Sequence, residues 1–381
     1  MTAAIVFGVL AVSFVGLDLV RRGLALREIA AQARLTAVGD ETAVTVLQPI
    51  LGGDPALQGC LEANLRHAPA ARFLWLVDDD DAAGQAAARQ ALAATSHPAT
   101  TVVIAPRPPA GLNPKSVKLA AGLDHVATAF VAVLDDDTIL PPGALGRVAA
   151  QAGPGVLVTG LPLYAARATL SSRLVTGFVN ASSALTYLPA ARLGLARTIN
   201  GMFSLMRTAD LRARGGFARI VHEVTDDYAL ARLFLDAGGR IVQSSQPVTV
   251  ITTVQGARHW FALMRRWMVF ARLYLRDNLS PGIALLVVLP EFLVLPLLLA
   301  SLCVSASAVA VAIVLLVAKA LATRALVRRL TGRATPLSDI PFEIAAELLL
   351  PLHALSASLL PHRIRWRDRA ITLEGRRIVD G

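Results

Sequence analysis

The hydrophobic pattern divides the chain into three stretches of different character. Residues 3–20, from Ala3 to Val20, form a nearly unbroken apolar run closed by Arg21 and Arg22. A helix of that length crosses about 30 Å of hydrocarbon. The positive charge follows the run, whereas a secretory signal peptide carries it in front. Residues 1–22 are therefore expected to be a membrane helix whose C-terminal end faces the cytoplasm, with Asp18 near enough to that end to reach the interface.

From about Ala43 to Gln246 short β-branched runs recur: Val44–Leu47, Phe73–Val77, Thr101–Ile104, Phe130–Leu134, Val156–Thr159 and Ile241–Gln243. Helical patterns lie between several of them, near Pro55–His67, Ala82–Ala94, Ser116–Ala127 and Pro142–Ala152. This alternation predicts an α/β fold over residues 40–276, with a mainly parallel sheet covered on both faces. Such a sheet places its ligands at the carboxyl ends of the strands.

After Arg276 the chain turns apolar again. Ile283–Cys303 and Val304–Leu321 are each long enough to cross a bilayer, and the Arg clusters on either side predict a hairpin of two crossings over 282–323. Pro290, Glu291 and Pro296 interrupt the first of them. A carboxylate inside a membrane marks either a functional site or a kink facing protein. The last apolar stretch, Ile340–Leu360, contains Glu343, Glu347, His353 and two prolines. A full crossing there would put the Arg-rich tail outside, against the positive-inside bias, so 338–381 is expected to be an interfacial or re-entrant segment with a basic tail.

Composition agrees with this division. Of 381 residues 55% are hydrophobic and only 17% charged, where a soluble chain is about a quarter charged. The net charge of +10 rests on arginine, since Lys115, Lys118 and Lys319 are the only lysines. The arginines gather beside the apolar stretches, as in Arg265, Arg266, Arg272 and Arg276, or Arg324, Arg328 and Arg329, or Arg363, Arg365, Arg367 and Arg369. That placement suits anionic lipid. No nucleic-acid recognition motif accompanies the charge, and no nucleic-acid partner is expected. Cys60 and Cys303 are too few for a thiolate metal site and imply no oxidising compartment.

The candidate chemistry lies in three acidic clusters at strand or helix ends. Asp78, Asp79, Asp80 and Asp81 follow the strand Phe73–Val77; Asp135, Asp136 and Asp137 follow Phe130–Leu134; Asp226 and Asp227 open a helical pattern. A single acidic run is usually a solvated loop. Two runs at one sheet edge repel each other unless a cation neutralises them, and hard divalent ions prefer oxygen ligands. Asp135 and Asp137 are placed to share a Mg²⁺ or Mn²⁺ that also holds a diphosphate. Lys115, in Asn113-Pro114-Lys115 at a helix start, is a point charge suited to a phosphate or a carboxylate, beside helix N-terminal amides that favour anions.

The order of these motifs resembles the ceramide glucosyltransferase-like glycosyltransferases, which include bacterial hopanoid-associated enzymes. The residues that carry the likeness are Gln48-Pro49 with Gly53-Asp54-Pro55, Val77 to Asp81, Asn113-Pro114-Lys115, Asp135-x-Asp137, Thr159-Gly160-Leu161-Pro162, Gly201 to Arg207, Gly215-Gly216-Phe217, Asp226-Asp227-Tyr228 and Arg266-Trp267. They cover roughly residues 40–275.

The resemblance implies a catalytic domain of the GT-A type with membrane helices at both ends. It places a uridine nucleotide against Asp79 and Asp81, with Gln48 and Lys115 also at the nucleotide sugar. It assigns metal and diphosphate to Asp135 and Asp137, the catalytic base to Asp227, and the last catalytic motif to Arg266 and Trp267. Two positions depart from the family pattern: Leu263 stands where Gln or Arg opens the last motif, and Gln48 where many relatives carry Lys.

The expected activity is transfer of a sugar from a UDP-sugar to a lipid, ceramide first and a hopanoid as the alternative, with inversion at the sugar carbon. The expected location is the cytoplasmic (inner) membrane, with the catalytic domain facing the cytoplasm. A processive polysaccharide synthase shares the acidic motifs but needs more crossing helices for a translocation path. A transporter would carry its charges within helices near the bilayer midplane, whereas these acids follow strands. Residues 170–188, with Phe178 and Tyr187, are expected to form a helix that lines lipid access or simply packs in a core.

Overall fold

The structure is a computed structural model and describes residues 2–165, 168–359, 363–366 and 369–379. Leu360 and Arg367 of the expected C-terminal segment lie outside the described residues, as do the side chains of Arg363, Arg365 and Arg369. In chain order, α1 (Thr2–Gln32) precedes β1 (Val44–Pro49), α2 (Leu57–His67), β2 (Arg72–Asp78), α3 (Ala82–Thr95), β3 (Thr100–Ala105), α4 (Pro114–Leu123), β4 (Phe130–Leu134), β5 (Thr138–Ile139), α5 (Ala144–Ala149) and β6 (Val156–Tyr164). Next come α6 (Leu170–Arg192), β7 (Phe203–Arg207), α7 (Thr208–Ala213), α8 (Asp226–Leu235), β8 (Arg240–Val250) and α9 (Ala257–Asn278). The C-terminal part holds the short α10 (Pro281–Ile283) and α11 (Leu289–Phe292), then α12 (Val294–Leu302), α13 (Ala306–Thr331), α14 (Ile340–Leu359) and the strands β9 (Arg363–Trp366), β10 (Arg369–Glu374) and β11 (Arg377–Val379).

These elements form two compact units. The first comprises Leu35–Ala165, Ala196–Thr253 and Pro361–Gly381. Its main sheet runs β3-β2-β1-β4-β7-β6-β8-β5. β1 pairs in parallel with β2 and β4, and β2 with β3. The strands alternate between two apolar faces. Val44, Val46, Phe73 and Trp75 pack with Leu61, Leu65, Ala88 and Ala91 of α2 and α3, while Leu47, Leu74 and Leu76 pack with Leu119, Leu123, Phe217 and Phe234. A strand buried on both faces reads as a continuous apolar run, and these do. Gly122 lets α4 lie close on the sheet, because a Cβ there would stand 2.8 Å from Leu76 Cδ1.

The sheet is parallel-rich, as expected, with antiparallel strands inserted. β7 runs antiparallel to both β4 and β6, β5 runs antiparallel to β8, and β6 pairs in parallel with β8. The reading missed β7 because Phe-Ser-Leu-Met-Arg is buried almost throughout and shows no two-residue alternation. The C-terminal tail also holds structure beyond its charge. β11-β10-β9 form an antiparallel sheet, and β11 reaches the segment ahead of α8: Ile378 N donates to His222 O at 2.9 Å and Val224 N to Arg376 O at 2.9 Å.

The second unit comprises Met1–Arg34, Ala166–Leu195 and Val254–Leu360. Among the described residues, three helical stretches of this unit are long and apolar enough to cross a membrane: Thr2–Gln32, Ala306–Thr331 and Leu337–Leu359. The stretch expected as the first arm of a hairpin contains a break. Pro281–Phe292 and Val294–Leu302 meet at 47°, with a π-helical turn over Ala284–Val288. Pro296 supplies no amide to Phe292 and crowds that carbonyl, a common cause of such breaks, and Pro290 does the same to Leu286 in the π-helical turn. Gly177 on α6 permits close packing on α14, since a Cβ there would lie 2.9 Å from Glu343 Cα and N.

Ion pairs tie these helices together. Arg21, 1% exposed, meets Glu291 at 2.7 Å and donates to Leu185 O at 2.9 Å. Arg22 pairs with Asp18, Lys319 with Glu347, and Arg324 with Glu343. Four cations face four carboxylates, so the set is neutral as a whole. An unpaired charge among apolar helices would cost several kcal/mol, about 2.5–3.5 at a helix centre.

Candidate active site

β2 and β4 flank β1 in parallel, so the first two acidic runs leave the sheet at the same edge, and the second meets the third through Lys115. Asp135 is fixed on leaving β4: its N donates to Met202 O at 2.9 Å, and its own carbonyl accepts from Gln48 Nε2 at 3.2 Å. Its Oδ1 lies 2.6 Å from Lys115 Nζ. The same ammonium lies 2.8 Å from Asp226 Oδ2 and donates to Gly201 O at 2.8 Å.

Lys115 is aimed by the start of α4. Asn113 caps that helix, accepting from Lys115 N at 3.0 Å and Ser116 N at 3.1 Å. Pro114 at the first helical position needs no amide partner. The cap thus occupies the amides that the sequence offered to an anion, and the lysine meets carboxylates. Asn113 Nδ2 also donates to Glu223 O at 2.9 Å, holding the approach to Asp226 and Asp227 in the first turn of α8.

Asp227 Oδ1 accepts from Tyr228 N at 2.7 Å. Gly201 stands beside it: a Cβ at this glycine would lie 3.8 Å from both Asp227 Oδ2 and Lys115 Nζ. The loop that presents Gly201 is pinned by Asn200, whose Nδ2 donates to Thr159 Oγ1 at 2.8 Å and Gly160 O at 2.5 Å. Sequence reasoning passed over Asn200; the Asn-Gly pair is a turn signal that marks it.

Asp137 accepts from Thr252 Oγ1 and from Thr138 Oγ1 at 3.2 Å. Asp136 points away and accepts from Leu51 N at 2.7 Å. In the first acidic run, Asp79 is exposed and accepts from Arg107 N at 3.2 Å, and Asp80 pairs with Arg107 at 2.9 Å. Asp81 caps α3, accepting from Gly84 N at 2.8 Å, and its other oxygen accepts from Gly52 N at 2.7 Å. Asp78 is paired with buried Lys118 at 2.9 Å. Gln48 is fully buried, with Oε1 accepting from Trp75 Nε1 at 3.0 Å. Arg266 and Trp267 lie on α9 in the other unit, where Trp267 stacks on Phe178 of α6 at 6.2 Å between ring centroids.

The electrostatics follow from one ammonium among several carboxylates. Burial pushes Asp135 up to about 6, against the pull of Lys115 and with the repulsion of Asp137 and Asp226. Burial pushes Asp227 up to about 7, with Asp226 adding to it. Asp137 is also raised, by burial and then by Asp136. Burial works against the charge on Lys115, but Asp135 and Asp226 outweigh it and hold the lysine above its ordinary value. Among the described residues no group of three or more His, Cys, Asp or Glu side chains is placed to hold a metal by itself. Two carboxylates with an excess of negative charge fit a Mg²⁺ or Mn²⁺ whose remaining ligands are phosphate oxygens and water.

Comparison with known proteins bears on this arrangement. No curated protein matches the sequence. Among solved structures, the chain is similar to the mannosyltransferase PcManGT from Pyrobaculum calidifontis, solved in complex with GDP-Man and Mn2+. The identity is 17%, covering 94% of this chain and 99% of that one at a TM-score of 0.53. A mycobacterial protein is more distant, at 16% identity, 68% and 79% coverage and a TM-score of 0.38. The first likeness shows the GT-A fold. The model of glycosyl transferase family 21 matches residues 2–379, nearly the whole chain, and with the acidic cluster at the sheet edge it leads to one conclusion: this chain belongs to glycosyl transferase family 21 and is a glycosyltransferase.

Proposed function

We propose that the protein transfers a sugar from a UDP-sugar to the hydroxyl of a membrane lipid, with ceramide as the first acceptor and a hopanoid as the second, in one displacement with inversion. The observation that carries the reading is the cluster of Lys115, Asp135 and Asp226 beside Asp227, whose carboxyl is raised to about 7. A base with that value is half ionised near neutral pH, where proton transfer is most effective.

In this reading Asp227 takes the proton of the acceptor hydroxyl as its oxygen bonds to the anomeric carbon. The bond from that carbon to the diphosphate oxygen breaks, and the nucleoside diphosphate leaves with the electron pair. Asp135 and Asp137 would hold Mg²⁺ or Mn²⁺, which supplies Lewis acidity to the leaving diphosphate. Lys115 orients Asp135 and Asp226 and keeps the site from excess negative charge. Asp79, exposed at the end of β2, meets the nucleotide, while Asp81 and Gln48 hold the loops beneath it. The family motif also assigns Arg266 and Trp267 a catalytic part. The catalytic unit faces the cytoplasm of the inner membrane, where sugar nucleotides are made.

The acceptor assignment is supported by the apolar helices within the same chain. Purified protein in lipid nanodiscs, given UDP- and GDP-sugars with a panel of lipid acceptors, should yield a glycolipid seen by mass spectrometry. It should require a divalent cation and start from a UDP-sugar. Full turnover in EDTA would remove the metal, and transfer from a GDP-sugar alone would replace the donor.

A further inference from the structure

We propose that the seam between α9 and α14 binds the polar head of the acceptor lipid through His353 and Trp260. The inference rests on the lipid-acceptor reading above and adds to it the residues that hold the head.

His353 is 2% exposed, yet neither ring nitrogen has a hydrogen-bond partner among the described residues. Trp260 Nε1 is likewise buried without a partner. The two rings meet edge to face, 4.5 Å between centroids at 85°. Three polar nitrogens are thus gathered where water is excluded, and buried donors of this kind are normally satisfied. Phe261 lies 5.6 Å from the same imidazole and is 41% exposed. The polar pair therefore has an exposed apolar neighbour that a lipid chain can cover.

The seam continues along α9. Trp260, Met264 and Trp267 follow the i, i+4, i+7 spacing of one helix face, and Trp267 stacks on Phe178. One face thus links the unpartnered nitrogens to the Arg266-Trp267 motif. The chemistry of the nitrogens selects the head. A neutral imidazole offers one N–H and one lone pair, and the indole offers one N–H. The two ring nitrogens point to opposite sides of the imidazole, so a head with two hydroxyl or amide groups, each able to accept and donate, is needed to satisfy all three. A phosphate only accepts at neutral pH and would be met by cations.

The test uses the full chain in nanodiscs and two readouts. A photoactivatable N-acyl aminodiol is cross-linked and the labelled peptides are mapped. In parallel, KM for N-acyl aminodiol and for UDP-sugar is measured in wild type, Trp260→Phe, His353→Phe and His353→Gln. Cross-links are expected within 257–278 and 340–359, competed by unlabelled N-acyl aminodiol and not by a polyprenyl phosphate. Acceptor KM should rise about tenfold in Trp260→Phe and His353→Phe, the effect of losing one hydrogen bond. His353→Gln should recover most of it, and KM for UDP-sugar should stay unchanged throughout. Transfer to the aminodiol with unchanged acceptor KM in both phenylalanine variants, or labelling confined to other segments, overturns the inference and leaves the lipid glycosyltransferase reading intact. Competed labelling of the two helices without transfer to any lipid keeps the site and overturns that reading instead.

Discussion

Lys115 Nζ lies 2.6 Å from Asp135 Oδ1, and the lysine that does this is the one cation shared by Asp135 and Asp226. The two side chains are 16% and 28% exposed. Removing the ammonium leaves the carboxylates to repel one another in a partly desolvated space, and breaking such a pair costs about 3–5 kcal/mol when it is buried. Lys115→Met should therefore unfold at a clearly lower temperature in EDTA, with Mn²⁺ restoring more of the difference than it adds to wild type. Equal unfolding temperatures in EDTA would show that the ion pair carries no such weight.

Metal binding should depend on pH through the same carboxylates. Asp135 titrates near 6 and Asp227 near 7, both above the ordinary 3.8. The unfolded chain has released these protons by about pH 5, while the folded chain still holds them, so ionising the site lowers stability as pH rises from about 4 to 7. A divalent cation binds the ionised form and offsets that loss. Thermal shifts with Mn²⁺ and UDP should be larger at pH 7.5 than at pH 5, and absent in Asp137→Asn. A shift independent of pH would place the cation elsewhere.

Asp227 is expected to act on the proton alone. Asp227→Asn should bind UDP with Mn²⁺ as wild type does and lose about 10²–10⁴ in turnover. Wild-type turnover should fall as pH drops below about 7, because the base must be ionised. Calorimetry for the nucleotide and mass spectrometry for the glycolipid separate the two effects. A variant that glycosylates normally would shift the role of base to another group.

Much of this site was legible in the residues themselves. The two Asp runs follow apolar stretches that form the parallel strands on either side of β1, so their leaving the sheet at one edge followed from the fold class. What escaped were relationships made through space. Lys115 was suited to a phosphate or a carboxylate, and nothing in the local pattern shows that Asp135 and Asp226 converge on it. Asp79 and Asp81 are both acids of one run, yet one is exposed and the other is held by Gly52 and Gly84 amides. β7 was missed because antiparallel insertion into a parallel sheet depends on what packs around it.

The contrast between those two acids is measurable. Asp81→Ala removes a helix cap and should cost about 1 kcal/mol of stability, read as a lower unfolding midpoint with little change in UDP affinity once folded. Asp79→Ala should do the reverse, leaving the midpoint alone and weakening UDP. Equal loss of UDP binding in both would return Asp81 to the nucleotide.

The C-terminal strands should matter for turnover. β11 holds the segment 222–224 that leads into Asp226 and Asp227, through Ile378 N to His222 O and Val224 N to Arg376 O. Deleting 361–381 should lower turnover on the order of 10²-fold, the scale expected when a catalytic group loses its placement, while nanodisc insertion and cross-linking of α9 and α14 stay intact. Unchanged turnover would mean the loop holds itself.

The neutral set of ion pairs among the apolar helices also has an order in time. A ribosome delivers Arg21 long before Glu291, and Lys319 before Glu347. Each early helix thus enters the bilayer with a cation whose counterion has not yet been made. A chain cut short before residue 340 lacks Glu347 and Glu343, so Lys319 and Arg324 lose their carboxylates and the truncated set carries a net positive charge.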